Sequence, residues 1–141
     1  MNHGITAGGT QNQQLGAGMG DFIERYIFPG GELMHVSKVL QVMSESGLEP
    51  VDTENLRPHY ARTLWAWSDA LEAQLPEARA LTTDAVVRAY RLYLAGSAMS
   101  FEQRWISLFQ MLAVKPSGNL SEGTMRGAQS AYPFQRGYMY K

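Results

Sequence analysis

The segment 55–67, NLRPHYARTLWAW, places a tyrosine just before a stripe of large apolar residues. The hydroxyl of Tyr60 can donate and accept hydrogen bonds, so this side chain could hold an anion or orient a substrate. Tyr60, Leu64, Trp67 and Leu71 also recur at the spacing of one helical face, which indicates a core position. The residues alone therefore leave two roles open for Tyr60, a core aromatic and a hydrogen-bonding group in a pocket.

Other common kinds of site have little support in the sequence. The chain contains no cysteine, which excludes thiolate catalysis and cysteine-bound zinc. His35 and His59 lack a second histidine at metal-ligand spacing, so we expect no metal site. Twelve basic and thirteen acidic residues give a formal charge of −1, and we expect no nucleic-acid partner. The acidic residues show no paired-carboxylate arrangement.

Helices must position most of the remaining candidate residues. The apolar spacing predicts helices over 21–28, over 33–46, from Pro58 to an interruption at Pro76, and from Thr83 to about 104. Strands are predicted at 48–56 and 105–114. The glycine-rich residues 1–21 predict a loop. We expect residues 22–116 to form the ordered part of the chain and residues 117–141 to form a polar tail with an aromatic end. The resulting fold class is α+β, mainly helical with two antiparallel strands in a single partial domain.

Two strands form a poor sheet without further partners. We therefore expect the chain to be part of a larger α/β sheet or to associate with itself. No apolar run approaches the roughly 20 residues of a membrane span, and the N-terminus lacks the basic and apolar regions of a signal peptide. These features predict a soluble, cytoplasmic chain.

Five ordered segments resemble the C-terminal part of the cyclopropane-fatty-acyl-phospholipid synthase and mycolic acid cyclopropane synthase family. They are NHGIT at 2–6, FIERYIFPGGEL at 22–33, LRPHYARTLWAWSDAL at 56–71, RAYRLYLAGSAMSF at 88–101 and WISLFQMLAVKP at 105–116. The ending YPFQRGYMYK is also similar to the family. The resemblance implies the C-terminal portion of a Rossmann-like class I methyltransferase fold. It further implies a lipid acyl chain as substrate and S-adenosylmethionine and bicarbonate as cofactors of the full-length family.

The resemblance also implies particular site residues. His3, Ile5 and Tyr60 match the family's bicarbonate contacts, although Gly4 stands where the family has threonine. A bicarbonate near a developing carbocation would be most effective in a dry pocket, where it would accept the proton that the carbocation loses. The residues that match the acyl tunnel are Phe28, Leu33, Leu64, Tyr93, Ser97 and Phe101. Ser97 replaces a frequent cysteine of the family.

The family's cofactor-binding strand, glycine-rich turn and acidic residue precede these segments, and we find no equivalent in the sequence. We therefore expect a C-terminal fragment or truncated homologue that does not bind S-adenosylmethionine tightly and is inactive alone. Two alternatives stay open. The chain could be a non-enzymatic binder of acyl chains or small apolar ligands, or a subunit completed by a separate N-terminal half. The expected partners are a lipid acyl chain, the inner membrane surface by peripheral contact, and a second copy or the missing half.

Overall fold

The structure is a computed structural model that describes residues 2–9, 19–119, 121 and 137, with side chains from residue 4 onward. Within these residues the chain forms five helices and three strands. In chain order they are β1 (Asn2–Ala7), α1 (Met19–Tyr26), α2 (Val36–Glu45), β2 (Glu49–Asn55), α3 (Arg57–Ala73), α4 (Leu75–Leu81), α5 (Asp84–Glu102) and β3 (Ile106–Val114). The mainly helical α+β class is confirmed, and the predicted helices and both predicted strands are present.

The three strands form one antiparallel sheet in the order β1-β3-β2. Strand β3 is the apolar run of the sequence and lies in the centre, with Leu108 opposite Ile5 of β1 and Met111 opposite Thr53 of β2. A register shift between Pro50 and Asp52 interrupts the pairing of β2. The antiparallel pair predicted from the sequence is thus present, and a third strand extends it on the other side of β3.

The loop predicted for residues 1–21 is wrong at both of its ends. Residues 2–7 form β1, and helix α1 begins at Met19. The local pattern of NHGITA contains a glycine and no alternation strong enough to indicate a strand, so the strand depends on its pairing with β3. Residues 10–18 lie outside the described residues, as does most of the predicted tail at 117–141.

Helices α3 and α5 pack against each other and cover one face of the sheet. Their buried contact includes Leu64 of α3, which is 1% exposed, and Phe101 of α5, also 1% exposed. Ile106 and Leu108 of β3 join the same apolar cluster. The boundaries have local causes: Pro58 lies in the first turn of α3, and the Thr83 side chain accepts a hydrogen bond from the Val86 N–H at the start of α5.

The end of β1 is fixed by close backbone contacts on both sides. The Gly8 N–H donates to the Trp105 carbonyl oxygen at 2.9 Å, and a Cβ at Gly8 would lie only 1.9 Å from the Arg104 carbonyl oxygen. The Ala7 N–H donates in the opposite direction to the Met34 carbonyl oxygen at 3.0 Å. These bonds hold the segment that follows α1 beside the end of β1, the strand that carries Ile5.

Candidate functional site

A cavity of about 320 Å³ lies between the two long helices, the sheet and the segment that contains α1. Every described element except α2, α4 and β2 contributes to its wall. The lining residues are Ile5, Met19, Ile23, Phe28, Gly31, Glu32, Leu33, Tyr60, Leu64, Tyr93, Ser97, Ser100, Phe101 and Ile106. Most of them are apolar, and the volume lies at the lower end of the range of ligand pockets.

Helical spacing explains how α3 and α5 build the floor of the cavity. Tyr60 and Leu64 are four residues apart on α3, and Tyr93, Ser97 and Phe101 follow the same spacing on α5. Residues four apart lie on the same face of a helix, so each helix presents one apolar stripe to the cavity. Leu64, Ser97 and Phe101 are buried, which makes this side of the cavity the deep end.

Exposed aromatic and aliphatic residues surround the open side of the cavity. Phe28 is 53% exposed and Leu33 is 43% exposed, although both line the cavity. The Phe28 ring lies edge-on to Tyr93 with 6.0 Å between centroids, and Tyr93 lies edge-on to Tyr90 at 6.1 Å. An apolar ligand could therefore enter past Phe28 and Leu33 and extend towards Leu64 and Phe101.

Tyr60 is held in the cavity wall by two aromatic contacts. Its ring lies edge-on to Phe101, with centroids 5.2 Å apart, and edge-on to Trp67, with centroids 6.0 Å apart. Such pairs add to the stability gained by burying the rings. These contacts fix the ring, and the hydroxyl is one of the few hydrogen-bonding groups in a mainly apolar wall.

Tyr93, Ser97 and Ser100 supply the other hydroxyl groups of the cavity wall. Burial raises the pKa of the Tyr93 hydroxyl, and the nearby hydroxyls of Tyr60 and Tyr90 raise it further. Tyr93 is therefore neutral at physiological pH and can act as a donor. The Ser100 hydroxyl donates to the Gly96 carbonyl oxygen at 2.7 Å within α5, which satisfies this buried group internally.

Eight of the nine site residues predicted from the sequence line this one cavity. The ninth, His3, lies opposite Gln110 in the pairing of β1 with β3, and its side chain is outside what the structure describes. The geometry brings the other predicted residues together, while their chemical roles stay predictions. Sequence reasoning missed the other six lining residues, which are Met19, Ile23, Gly31, Glu32, Ser100 and Ile106. The apolar spacing of α1 could have indicated Ile23.

The part of the chain that the structure describes gives no evidence of a metal site or of a membrane-spanning helix. No group of three or more histidine, aspartate or glutamate side chains there could hold a metal ion. None of the helices in the same ranges has the length and hydropathy of a membrane-spanning segment. The apolar cavity is thus the main candidate site among these residues.

Comparison with known proteins identifies the family. The family model described as mycolic acid cyclopropane synthetase matches residues 1–111. The chain belongs to the mycolic acid cyclopropane synthetase family. A probable fatty acid methyltransferase of Pseudomonas putida is 54% identical over 116 residues, which is 82% of this chain and 29% of that protein.

Further members of the cyclopropane synthetase family give the same result in sequence and structure. Cyclopropane mycolic acid synthase 1 of Mycobacterium tuberculosis is 38% identical over 94 residues, or 67% of this chain and 33% of that protein. The crystal structure of mycolic acid cyclopropane synthase CmaA1 complexed with SAH and CTAB superimposes with a TM-score of 0.71 and 32% identity, covering 79% of this chain and 42% of that one. The chain therefore spans less than half the length of these relatives.

The wall of the apolar cavity does not by itself fit S-adenosylmethionine. That cofactor needs polar partners for its ribose, adenine and amino acid groups, and the cavity wall offers mainly apolar side chains. Gly8, the glycine that follows β1, is explained by its close approach to the Arg104 and Trp105 carbonyl oxygens. The neighbouring residues 10–18 lie outside the described part.

Proposed function

We propose that this chain forms the acyl-chain-binding wall of a fatty acid methyltransferase of the cyclopropane synthetase family. The single observation that carries the proposal is the apolar cavity, about 320 Å³ in volume, whose wall includes eight residues that match the family's site positions. The substrate is a lipid acyl chain. Its double bond lies in the deep part of the cavity, near Tyr60 and Phe101, and the rest of the chain leaves past Phe28 and Leu33.

The physical basis of substrate binding is burial of apolar surface. Each methylene group moved from water into the cavity contributes about 0.8 kcal/mol. Leu64, Phe101 and Ile106 are each at most 6% exposed and provide the dry part of the wall. Exclusion of water from this region also strengthens any electrostatic interaction with charge that develops on the acyl chain.

Tyr60, Ile5 and His3 form the bicarbonate site in this proposal. Tyr60 donates its hydroxyl hydrogen to a bicarbonate oxygen, while the contacts with Phe101 and Trp67 hold the ring in place. Ile5 lines the same cavity from β1, and His3 is two residues earlier on that strand. Once the double bond has taken up a methyl group, the bicarbonate would accept the proton that the resulting carbocation loses. A carbon-13 NMR titration of bicarbonate should detect binding by the native chain and a weaker effect for Tyr60→Phe.

Methyl transfer requires S-adenosylmethionine, which in this proposal is held by a cofactor-binding part outside the described residues. The chain alone is then inactive and does not bind the cofactor tightly. Calorimetry with S-adenosylmethionine tests this directly. We expect no heat of binding for the chain alone and a measurable affinity once a cofactor-binding half is added; tight binding by the chain alone would contradict the proposal.

The acyl-binding role can be tested with a substitution that fills the cavity. Ser97 is 6% exposed and lines the deep end, so Ser97→Phe should occupy the volume that the acyl chain needs. We expect 1-decanol to displace the uncharged dye Nile red from the native chain, and the variant to bind 1-decanol at least about tenfold more weakly. Leu92→Phe is the matched control, because Leu92 is 62% exposed and does not line the cavity. Unchanged binding in Ser97→Phe would refute the role.

A second candidate function is non-catalytic binding of an acyl chain or another small apolar ligand. The observation in its favour is the mainly apolar wall of the cavity, which suits an acyl chain without any reaction. The two functions differ in the response to an added cofactor-binding half. Restored methyl transfer supports the methyltransferase, whereas lipid that co-purifies with the chain and is never methylated supports the binder.

Assembly is a related proposal, because β1 lies at the edge of the sheet. Among the described residues, the pairing of Ala7 with the segment at Met34 and His35 covers only the end of this strand. The remaining edge of β1 can accept a strand from a second copy or from the N-terminal half. Light scattering after size-exclusion chromatography should give a mass above that of one chain; a stable monomer at micromolar concentration would contradict self-association.

Peripheral contact with a membrane surface is a separate proposal. Flotation with lipid vesicles tests it.

A further inference from the structure

A tight turn brings two residues of different chemistry, Phe28 and Glu32, to the wall of the cavity. The Gly31 N–H donates to the Phe28 carbonyl oxygen at 3.0 Å, and Gly30 has a φ of +71°. Pro29 at the second position and a positive φ at the third are typical of a type II turn. The turn reverses the chain, so that Phe28 and Glu32 both reach the cavity wall.

Glu32 differs in charge from the rest of the cavity wall. Among the described residues that line the cavity it is the one with a charged side chain. The Glu32 carboxylate makes no ion pair or hydrogen bond with another residue in the part of the chain that the structure describes. The open side of an apolar cavity thus carries a negative charge that the described protein groups leave uncompensated.

The aromatic residues at the same side of the cavity favour the same sign of ligand charge. The Phe28 ring is half exposed and lies edge-on to Tyr93, which in turn lies edge-on to Tyr90. The faces of aromatic rings attract ammonium groups, and proteins commonly hold quaternary ammonium ligands against such rings. A fatty acid carboxylate would instead be repelled by Glu32, because no lining residue among those described is cationic.

We propose that Glu32 and Phe28 form a head-group site that selects acyl compounds whose head group carries an ammonium over those that carry a carboxylate. The proposal rests on the acyl-binding role proposed above and adds the class of substrate. Glu32 contacts the ammonium, Phe28 covers it, and the acyl chain continues inward towards Leu64 and Phe101. Glu32 is thereby a specificity-determining residue.

Three probes with the same alkyl chain test this site: decyltrimethylammonium, decanoate and 1-decanol, each below its micelle concentration. For the native chain we expect decyltrimethylammonium to bind about tenfold more tightly than decanoate in low salt, as measured by displacement of Nile red. The ratio should fall towards one in about 1 M salt, because exposed charges are screened. Glu32→Gln should reduce the ratio to about twofold, and Glu32→Lys should invert it.

Two comparisons separate the head-group site from other causes. Glu77→Gln removes the same charge from α4, which does not line the cavity, and should leave the ratio unchanged. The affinity for 1-decanol should be equal in all variants, which shows that the cavity is intact. If 1-decanol binds but the native ratio is near one, or Glu32→Gln preserves it, the head-group site is refuted. If 1-decanol does not bind, the acyl-binding function fails and the head-group site fails with it.

Discussion

The ring of Tyr60 lies edge-on to the ring of Phe101, with 5.2 Å between centroids and 69° between planes. This contact joins α3 to α5 at the wall of the cavity, so Tyr60 serves the core whatever its hydroxyl does. Tyr60→Phe keeps the ring and should change the free energy of unfolding by less than about 0.5 kcal/mol. Tyr60→Ala should cost about 2–4 kcal/mol. Urea denaturation of both variants measures the difference, and equal losses would show that the hydroxyl carries the stability.

Phe101 should be among the most costly positions to truncate. Its side chain is 1% exposed and belongs to both the apolar cluster and the cavity wall. Phe101→Ala should lower the free energy of unfolding by about 3–5 kcal/mol. Leu92→Ala, at a position that is 62% exposed, is the control and should cost well under about 1 kcal/mol. A small loss for Phe101→Ala would mean that the wall can collapse into the cavity.

Arg57 stabilises the end of α5 from the start of α3. Its Nη1 atom donates to the carbonyl oxygens of Phe101 at 2.6 Å and Glu102 at 3.3 Å. A cation at the C-terminus of a helix pairs with carbonyl groups that lack partners within the helix. Arg57→Ala should cost about 1–3 kcal/mol. The control Arg62→Ala removes an exposed arginine of the same helix and should be nearly neutral, as thermal denaturation can verify.

Gly8 should tolerate no side chain. A Cβ at this position would lie 1.9 Å from the Arg104 carbonyl oxygen and 2.8 Å from that of Trp105, and both are backbone atoms that cannot move independently. Gly8→Ala should therefore destabilise the chain by about 3 kcal/mol or more. Gly47→Ala provides the comparison: its φ is +77° but nothing lies near its Cβ, so about 1 kcal/mol of backbone strain is expected. Equal losses in chemical denaturation would contradict the packing role of Gly8.

The raised pKa of Tyr93 leads us to expect a loss of stability in alkaline solution. Its raised pKa means that the folded state favours the neutral hydroxyl more than the unfolded chain does. This contribution is complete below the ordinary pKa of 10.0 and is lost as pH rises through the higher folded-state value. The melting temperature of the native chain should thus fall more steeply above about pH 10 than that of Tyr93→Phe. Parallel curves for the two proteins would show that Tyr93 is not responsible.

The helices and the central strand could be predicted because their information is local. The spacing of Tyr60, Leu64, Trp67 and Leu71 indicates α3, Thr83 indicates the start of α5, and the run at 105–114 indicates β3. The family resemblance supplied the site positions in addition. Eight of those positions line one cavity, which composition and periodicity alone could not have grouped.

The tertiary structure decided the features that depend on contacts between distant segments. Residues 2–7 become a strand because β3 supplies their hydrogen-bonding partners, although their own sequence predicts a loop. Glu32 reaches the cavity because the turn at Phe28–Gly31 and the bond from Ala7 to Met34 hold that segment beside β1. The spacing of apolar residues in the sequence indicates which face of a helix is apolar. Only packing decides whether that face meets another side chain or leaves a space for a ligand, because the space is formed by segments that lie far apart in the chain.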